Sequence, residues 1–576
     1  MTYRAPIRDI AFALNAAADL ESLAPLVPGL DRDMTDAVLE AAGQLASEVL
    51  APLNRIGDRE GSRLENGKVV TPEGFAGAYR AFAEGGWNSL SADPDFGGQG
   101  LPRALELAVF EMANGANMAF ALCPTLTQAA IEALQRHGTE RQKQLFLPRL
   151  ISGEWPGTMH LTEPQAGTDL GAIRTMAEPD GEGGWRLNGQ KIFITWGDHD
   201  MAPNIVHLIL ARTPDAPPGV RGLSLFVASR QELGEDGALG VANALRPASL
   251  EHKLGIHASP TCVMLYEGAR AELVGELNQG LAHMFVMMNA ARVMVGVQGV
   301  GIAEAAYQHA LAYARERRQG RSPWSDDTSA LIFDHPDVRR MLGLMKAKIA
   351  AARAICFSAG VAADLARLAP TEEARRKADL RAQLLTPIAK AWSTDVGVEV
   401  ASLGVQAHGG MGFIEETGAA QFYRDARITP IYEGTNGIQA IDLVGRKLSM
   451  ESGEAVRDLI GEMRALVPAL TGDLADLGPR LKAGIDAVQR ASEGLAKAGG
   501  TAALAGASSY LRLFGDVLGG ALLCKGALAA AKDEDATWAK DRAALARFYG
   551  EQVLSRAGSL ADAALAGDEA LRAIQF

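Results

Sequence analysis

Apolar and polar positions fall into three textures along the chain. Between about residues 33 and 150 apolar residues recur with a helical period, as in 37–42 and 105–112, and Gly and Pro punctuate the runs. Between about 155 and 274 the pattern shortens. Segments 184–189, 192–195, 205–210 and 223–227 read as strands joined by Gly, Asp and Pro turns. Long helical patterns rich in Ala and Met return over 280–447, and their small side chains suit close helix packing. A break at 449–453 leads into an Ala/Leu-rich helical segment that runs to Phe576. This order predicts an α+β protein. It has an N-terminal arm (1–32), an N-terminal helical domain (33–154), a central β-barrel-like domain (155–277), a helical-bundle domain (278–448) and an additional C-terminal helical domain (449–576).

Length agrees, since 576 residues exceed one ordinary core and suggest about three or four domains. With 48% hydrophobic and 22% charged residues the chain reads as globular and not disordered. A formal net charge of −13 argues against nucleic acid as the main partner, because phosphate binding needs a basic surface. Cys123, Cys262, Cys356 and Cys524 are scattered, with no CxxC pair or zinc-type spacing, so no metal site is expected. They read as buried thiols of a reducing compartment, here the cytoplasm. Arg4, Arg8 and Asp9 interrupt the N-terminus, which does not read as a secretory signal. The most apolar late stretch, 517–531, contains Lys525 and reads as too short to span a bilayer.

Candidate chemistry concentrates in four strings and one carboxylate. The string Ile431-Tyr432-Glu433-Gly434-Thr435-Asn436-Gly437 puts an acid on a Gly-flanked turn where a helical pattern begins. An acid kept from water there can act as a base near neutral pH, but the same string also serves as a plain helix entry with Thr435 or Asn436 as N-cap. Leu161-Thr162-Glu163-Pro164-Gln165-Ala166-Gly167-Thr168-Asp169 suits a flat, acceptor-rich ligand, and more readily in isolation a turn with an Asp cap. Phe193-Ile194-Thr195-Trp196 is a strand end that reads more readily as core packing. Gln406-Ala407-His408-Gly409-Gly410-Met411-Gly412 could turn backbone N–H groups toward a phosphate. The basic knot Arg315-Glu316-Arg317-Arg318 could equally be a solvated helix end.

Taken in order, these strings resemble the acyl-CoA dehydrogenase family over about 33–447. One signature is matched at 161–172, with His160 before it where a small residue is usual. A second is matched at 406–425, with Gln421 where Lys or Arg is expected. The N-terminal arm and the domain after Gly453 are similar to a large bacterial subgroup that includes broad or long-chain and 3-methylmercaptopropionyl-CoA dehydrogenases.

The resemblance implies FAD, with Met159, Leu161, Thr162, Gly167 and Thr168 on one side of the flavin and Phe193, Ile194 and Thr195 on the other. It implies that Arg317 meets the pyrophosphate, Gln406, Gly409 and Gly410 the adenine half across a homodimer (or higher homo-oligomer), and Thr435 the flavin beside the base. Gly437 stands where Gln is usual. For the acyl-CoA substrate it implies Thr168, Asn289 (where Asp is common), Arg292, Tyr432 and Gly434. Glu433 would remove the α-proton while the β-hydrogen leaves as hydride to flavin N5, giving a trans-2-enoyl-CoA. Some relatives carry the acid just before the Arg292 equivalent, and here Ala291 leaves Glu433 alone. The expected electron acceptor is an electron-transferring flavoprotein. Rival expectations are an acyl-CoA oxidase using O2, a nitroalkane-oxidising relative, for which Glu433 in place of Asp is unfavourable, and a DNA-associated alkylation-response flavoprotein. Met287, Met288 and Met294 could accept a thioether chain or be plain core.

Overall fold

A closed circuit of strands holds the central part of the chain. In the computed structural model, which describes all residues except 1, 2 and 235, the backbone divides into two compact units. One comprises Leu45–Leu101 and Ala116–Ala291, and the other Met1–Gln44, Pro102–Gly115 and Arg292–Phe576.

The first unit begins with a small hairpin, β1 (Arg63–Glu65) and β2 (Lys68–Val70). The helical reading of 33–150 passed over it, although its Asn66-Gly67 turn, with both residues at positive φ, is a strong hairpin signal. The barrel follows, from β3 (Gly157–His160), β4 (Met176–Pro179), β5 (Trp185–Thr195), β6 (Val206–Arg212) and β7 (Leu223–Ser229). A short pair, β8 (Gln231–Leu233) and β9 (Leu239–Ala242), precedes β10 (Leu245–Leu250) and β11 (Thr261–Val274). β11 pairs with β5, β5 with β4, β4 with β6, β6 with β7, and β7 returns to β11, which closes the circuit, while β10 and β3 pair onto β11 and β6 as edge strands. The two segments expected at 184–189 and 192–195 are one strand, because Gly189 lies inside β5 and pairs with Tyr266. β6 and β7 are buried almost throughout, which explains why their apolar runs do not alternate.

The second unit is helical. Its long helices include Pro336–Leu368, Glu372–Ala407, Gly500–Ala530 and the part of Gly280–Glu316 from Arg292 onward. Thr371 caps the Glu372–Ala407 helix by accepting from the Ala374 N–H at 3.2 Å, and Glu372 and Glu373 complement its dipole. That helix crosses Gly280–Glu316 almost backbone to backbone. A Cβ on Gly299 would lie 2.5 Å from the Ser393 carbonyl oxygen, and one on Gly397 2.8 Å from that of Gly299. The additional C-terminal helices dock on the same bundle. Trp392 lies against Gly515 and donates its indole N–H to Asp516 Oδ1 at 2.9 Å.

One sequence expectation needs correction here. The 517–531 stretch belongs to a 31-residue helix, long and apolar enough to cross a bilayer, as are Gly280–Glu316 and Pro336–Leu368. Its most apolar window is 78% buried inside the protein, so the apolar surface is taken up by packing against neighbouring helices. Helix length was underestimated because small residues such as Gly506 and Gly515 do not register as apolar, although they mark close helix contacts.

The helix crossing yields a test. Gly397→Val should destabilise the protein by about 2–3 kcal/mol through overpacking against backbone that has no side chain to rotate away. A thermal melt should show a clear drop in midpoint, and an unchanged midpoint would contradict the crossing as described.

Candidate active site

Glu433 sits on a loop whose shape is imposed by hydrogen bonds. The Asn436 N–H donates to the Pro430 carbonyl at 3.0 Å and closes the loop at its neck. Helix Asn436–Asp442 then begins, with Thr435 as its N-cap accepting from the Ile438 N–H at 3.3 Å. Of the two caps considered from sequence, the structure selects Thr435. Glu433 has φ 56°, a left-handed conformation that costs a non-glycine residue roughly 1–3 kcal/mol and persists only where surroundings enforce it. Arg292 Nε (3.4 Å) and Gln439 Nε2 (3.5 Å) both donate toward the Glu433 carbonyl oxygen. Gly434 follows at φ 83°, where a Cβ would come within 2.7 Å of Gln439 Nε2. Tyr432 is tied by its hydroxyl to Gln298 Oε1.

The Glu433 side chain is half-buried, accessible yet partly stripped of water. Desolvation raises its pKa above the ordinary carboxylate range, opposed by the charges of Arg292 and Lys390. Arg292 is only 6% exposed, and it supports the Glu433 main chain as well as supplying a charge. Among the described residues no cluster of His, Cys, Asp or Glu could hold a metal ion.

The same unit brings together the residues expected at a dinucleotide's far end. His309 and Tyr313, on the helix ending at Glu316, stack on His408 with ring centroids 4.8 and 4.5 Å apart. This joins the helix end that carries Arg317 to the 406–410 segment. Arg317, Gln406, Gly409 and Gly410 are all exposed, and a Cβ on either glycine would meet nothing within 4 Å. Met294 is core.

In the other unit a β-bulge presents the second group. Cys262 pairs with Ile194 but Met264 with Lys191, so Ile192 and Phe193 together oppose Val263. The extra residue turns Phe193 out at φ 59° and leaves it 57% exposed, against the core-packing reading of that string. Ile194 points into the barrel core, so only its backbone is available to a ligand. The Ile192 N–H donates to the Thr162 carbonyl at 2.9 Å and Thr158 Oγ1 to the Thr195 carbonyl at 2.7 Å, which sets 158–162 beside 192–195. Met159 is buried, Leu161 and Thr162 are half-buried, and Gly167 and Thr168 are exposed on the adjoining turn. Asn289 is exposed on its helix, while Met287 is core and Met288 packs against it.

Behind this surface lies a polar cluster. Lys191 Nζ donates to Glu163 Oε1 at 2.8 Å and to the Leu161 carbonyl at 2.9 Å. Glu163 also accepts from the Arg174 and Thr175 N–H groups and the Thr175 hydroxyl. Desolvation would raise its pKa, but Lys191 and these donors outweigh it and hold the carboxyl down at about 2. Burial pushes Lys191 down to about 8 against the pull of Glu163, so the pair is ionised at neutral pH. His160 fills the core in place of a small residue, joined to Tyr266 Oη through Nδ1 and to His207 Nδ1 through Nε2 at 2.9 Å. Burial holds both imidazoles below their ordinary pKa, His207 at about 3.

The chain belongs to the acyl-CoA dehydrogenase family. Its residues 33–154, 158–268 and 278–448 match the family's N-terminal, middle and C-terminal domains, and 459–575 match the "Acetyl-CoA dehydrogenase C-terminal like" domain. It is 49% identical over 573 residues to a 3-methylmercaptopropionyl-CoA dehydrogenase of Ruegeria pomeroyi, covering 96% of each chain. It is 36% identical over 472 residues to a butyryl-CoA dehydrogenase of Syntrophomonas wolfei, covering 79% of this chain and 77% of that one. Among solved structures, Caenorhabditis elegans ACDH-11 in complex with C11-CoA shares the fold with a TM-score of 0.80 at 22% identity, over 96% of this chain and 92% of that one.

The Lys191–Glu163 pair sets an expectation for stability. Lys191→Met leaves a buried carboxylate without its cation and should cost about 3–5 kcal/mol, whereas replacing both partners with apolar residues should cost less. Denaturant titrations of the single and double variants would decide, and equal losses would contradict the pairing.

Proposed function

We propose that this protein oxidises an acyl-CoA thioester between its α and β carbons, with FAD as resident cofactor and Glu433 as the base. The observation that carries this reading is the half-buried Glu433 carboxyl, enforced in a left-handed turn and raised in pKa by desolvation. A carboxylate of ordinary proton affinity is a poor match for a carbon acid beside a thioester, and partial burial narrows that mismatch. Glu433 takes the α-proton, and Arg292 and Gln439 hold its carbonyl so that the carboxyl stays aimed during the transfer.

The residues expected at the cofactor fit it in each unit. Phe193 offers an exposed ring on the bulge, the 167–168 turn leaves open space, and Arg317 with the 406–410 segment offers an exposed cationic, glycine-lined surface. When bound, FAD supplies the acceptor for the β-hydride. The product is a trans-2-enoyl-CoA.

For the acyl group we favour 3-methylmercaptopropionyl-CoA, supported by the 49% identical relative of that activity. The buried methionines do not add to this, since Met287 and Met294 are core. The same reading has the enzyme work in fatty-acyl (β-oxidation-type) chemistry in the cytoplasm as a homodimer or higher homo-oligomer. Electrons pass to an electron-transferring flavoprotein. Four buried free cysteines suit a reducing compartment, and the acidic net charge is unfavourable to a DNA partner.

Anaerobic titration of the purified protein with a panel of acyl-CoAs, the methylthiopropionyl ester included, should bleach the flavin. Glu433→Gln should keep the bound flavin and lose bleaching by at least 100-fold, in the range expected of a positioned acid–base group. In the wild type the bleaching rate should rise with pH as Glu433 loses its proton, with a midpoint above the ordinary carboxylate range. Full reduction of the Gln variant would end the assignment, and steady peroxide production in air would favour an oxidase.

A further inference from the structure

A buried lysine stands beside the loop that carries Glu433. Lys390, on the Glu372–Ala407 helix, is fully buried, and its Nζ donates to Asn436 Oδ1 at 2.8 Å. Asn436 is the residue whose N–H closes the Pro430–Asn436 loop. Its side-chain amide donates to the Ala391 carbonyl (3.0 Å), Thr394 Oγ1 (3.0 Å) and Asp395 Oδ1 (2.8 Å). The loop that carries Glu433 is therefore fastened to that helix through the Asn436 side chain, and Lys390 supplies that side chain's cationic contact.

Resting on the assignment of Glu433 as base, we propose that Lys390 is its positioning residue. Through Asn436 it fixes the loop that carries the Glu433 carboxyl.

The charges that face the site come from several elements, with Asp442 and Arg446 acting on Arg292. Glu433 comes from the loop, Asp395 and Glu399 from the lysine's own helix, and Arg292 from the helix Gly280–Glu316. Arg512, on the Gly500–Ala530 helix, acts on Asp395. Burial pushes Lys390 down to about 7, opposed by Glu433 and Asp395. Its folded value lies below that of a free lysine, so the ammonium is present below about pH 7 and is lost as pH rises through that value. The charge thus acts on Glu433 in the acid range and fades above neutrality. Arg292 keeps its charge throughout and cannot produce such a fade.

Three variants separate charge from hydrogen bonding to Asn436. Lys390→Met removes both, Lys390→Gln keeps a donor for Asn436 without the charge, and Lys390→Arg keeps the charge at every pH. The readout is the titration of the Glu433 carboxyl by pH-difference infrared spectroscopy, with Glu433→Gln identifying its band. The acid limb of single-turnover flavin bleaching is followed in parallel. The Met and Gln variants should raise the Glu433 midpoint by about one unit, as expected when one opposite charge is removed nearby, and the Arg variant should keep the wild-type midpoint. The inference is overturned if folded, flavin-bound Gln or Met variants retain the wild-type midpoint, or if the Arg variant shifts as far as they do. A wild type that no acyl-CoA bleaches would count against the proposed function instead, because the infrared titration is read without substrate.

Discussion

The candidate site depends on two helices being allowed to touch through their backbones. Gly299 and Gly397 remove the side chains that would otherwise keep Gly280–Glu316 and Glu372–Ala407 apart. One helix carries Arg292 and Gln298 and the other Lys390, Thr394 and Asp395, and the loop with Glu433 is bonded to both. The same second helix receives the C-terminal domain through Trp392 and Asp516. That added domain is thus braced against the helix that fastens the base's loop.

Each unit also holds a carboxylate away from bulk water, with opposite outcomes. Glu163 is surrounded by donors and a cation and has been made a weak base, which suits a fixed strut under the 161–163 segment. At Glu433 desolvation outweighs the opposing charges of Arg292 and Lys390, and the carboxyl keeps a raised proton affinity. Two carboxylates of one chain have been set apart by environment alone.

Much of this was legible in the residues. The three textures of hydrophobic spacing gave the order of helical and strand regions, and the Tyr432-Glu433-Gly434 string marked the left-handed turn because Gly beside an acid signals an unusual turn. The bulge at Phe193 was not legible, since a one-residue mismatch depends on the partner strand β11 and leaves no local mark. Lys390 was missed for a similar reason. A lone Lys in an Ala-rich helical run reads as a solvated position, and only the fold shows it enclosed with Asn436. Glu163 lies within the Leu161–Asp169 string, but its partner Lys191 is 28 residues away, on β5.

The four cysteines carry a practical consequence. All are free and buried, and desolvation pushes Cys262, Cys356 and Cys524 up to about 12 and Cys123 higher still. Thiolate, the form that alkylating reagents attack, is scarce while the protein is folded. Labelling by such reagents therefore reports opening of the surrounding structure. Cys262 samples the barrel and Cys356 the helical bundle, so the molecule carries its own clocks for the unfolding of its separate parts.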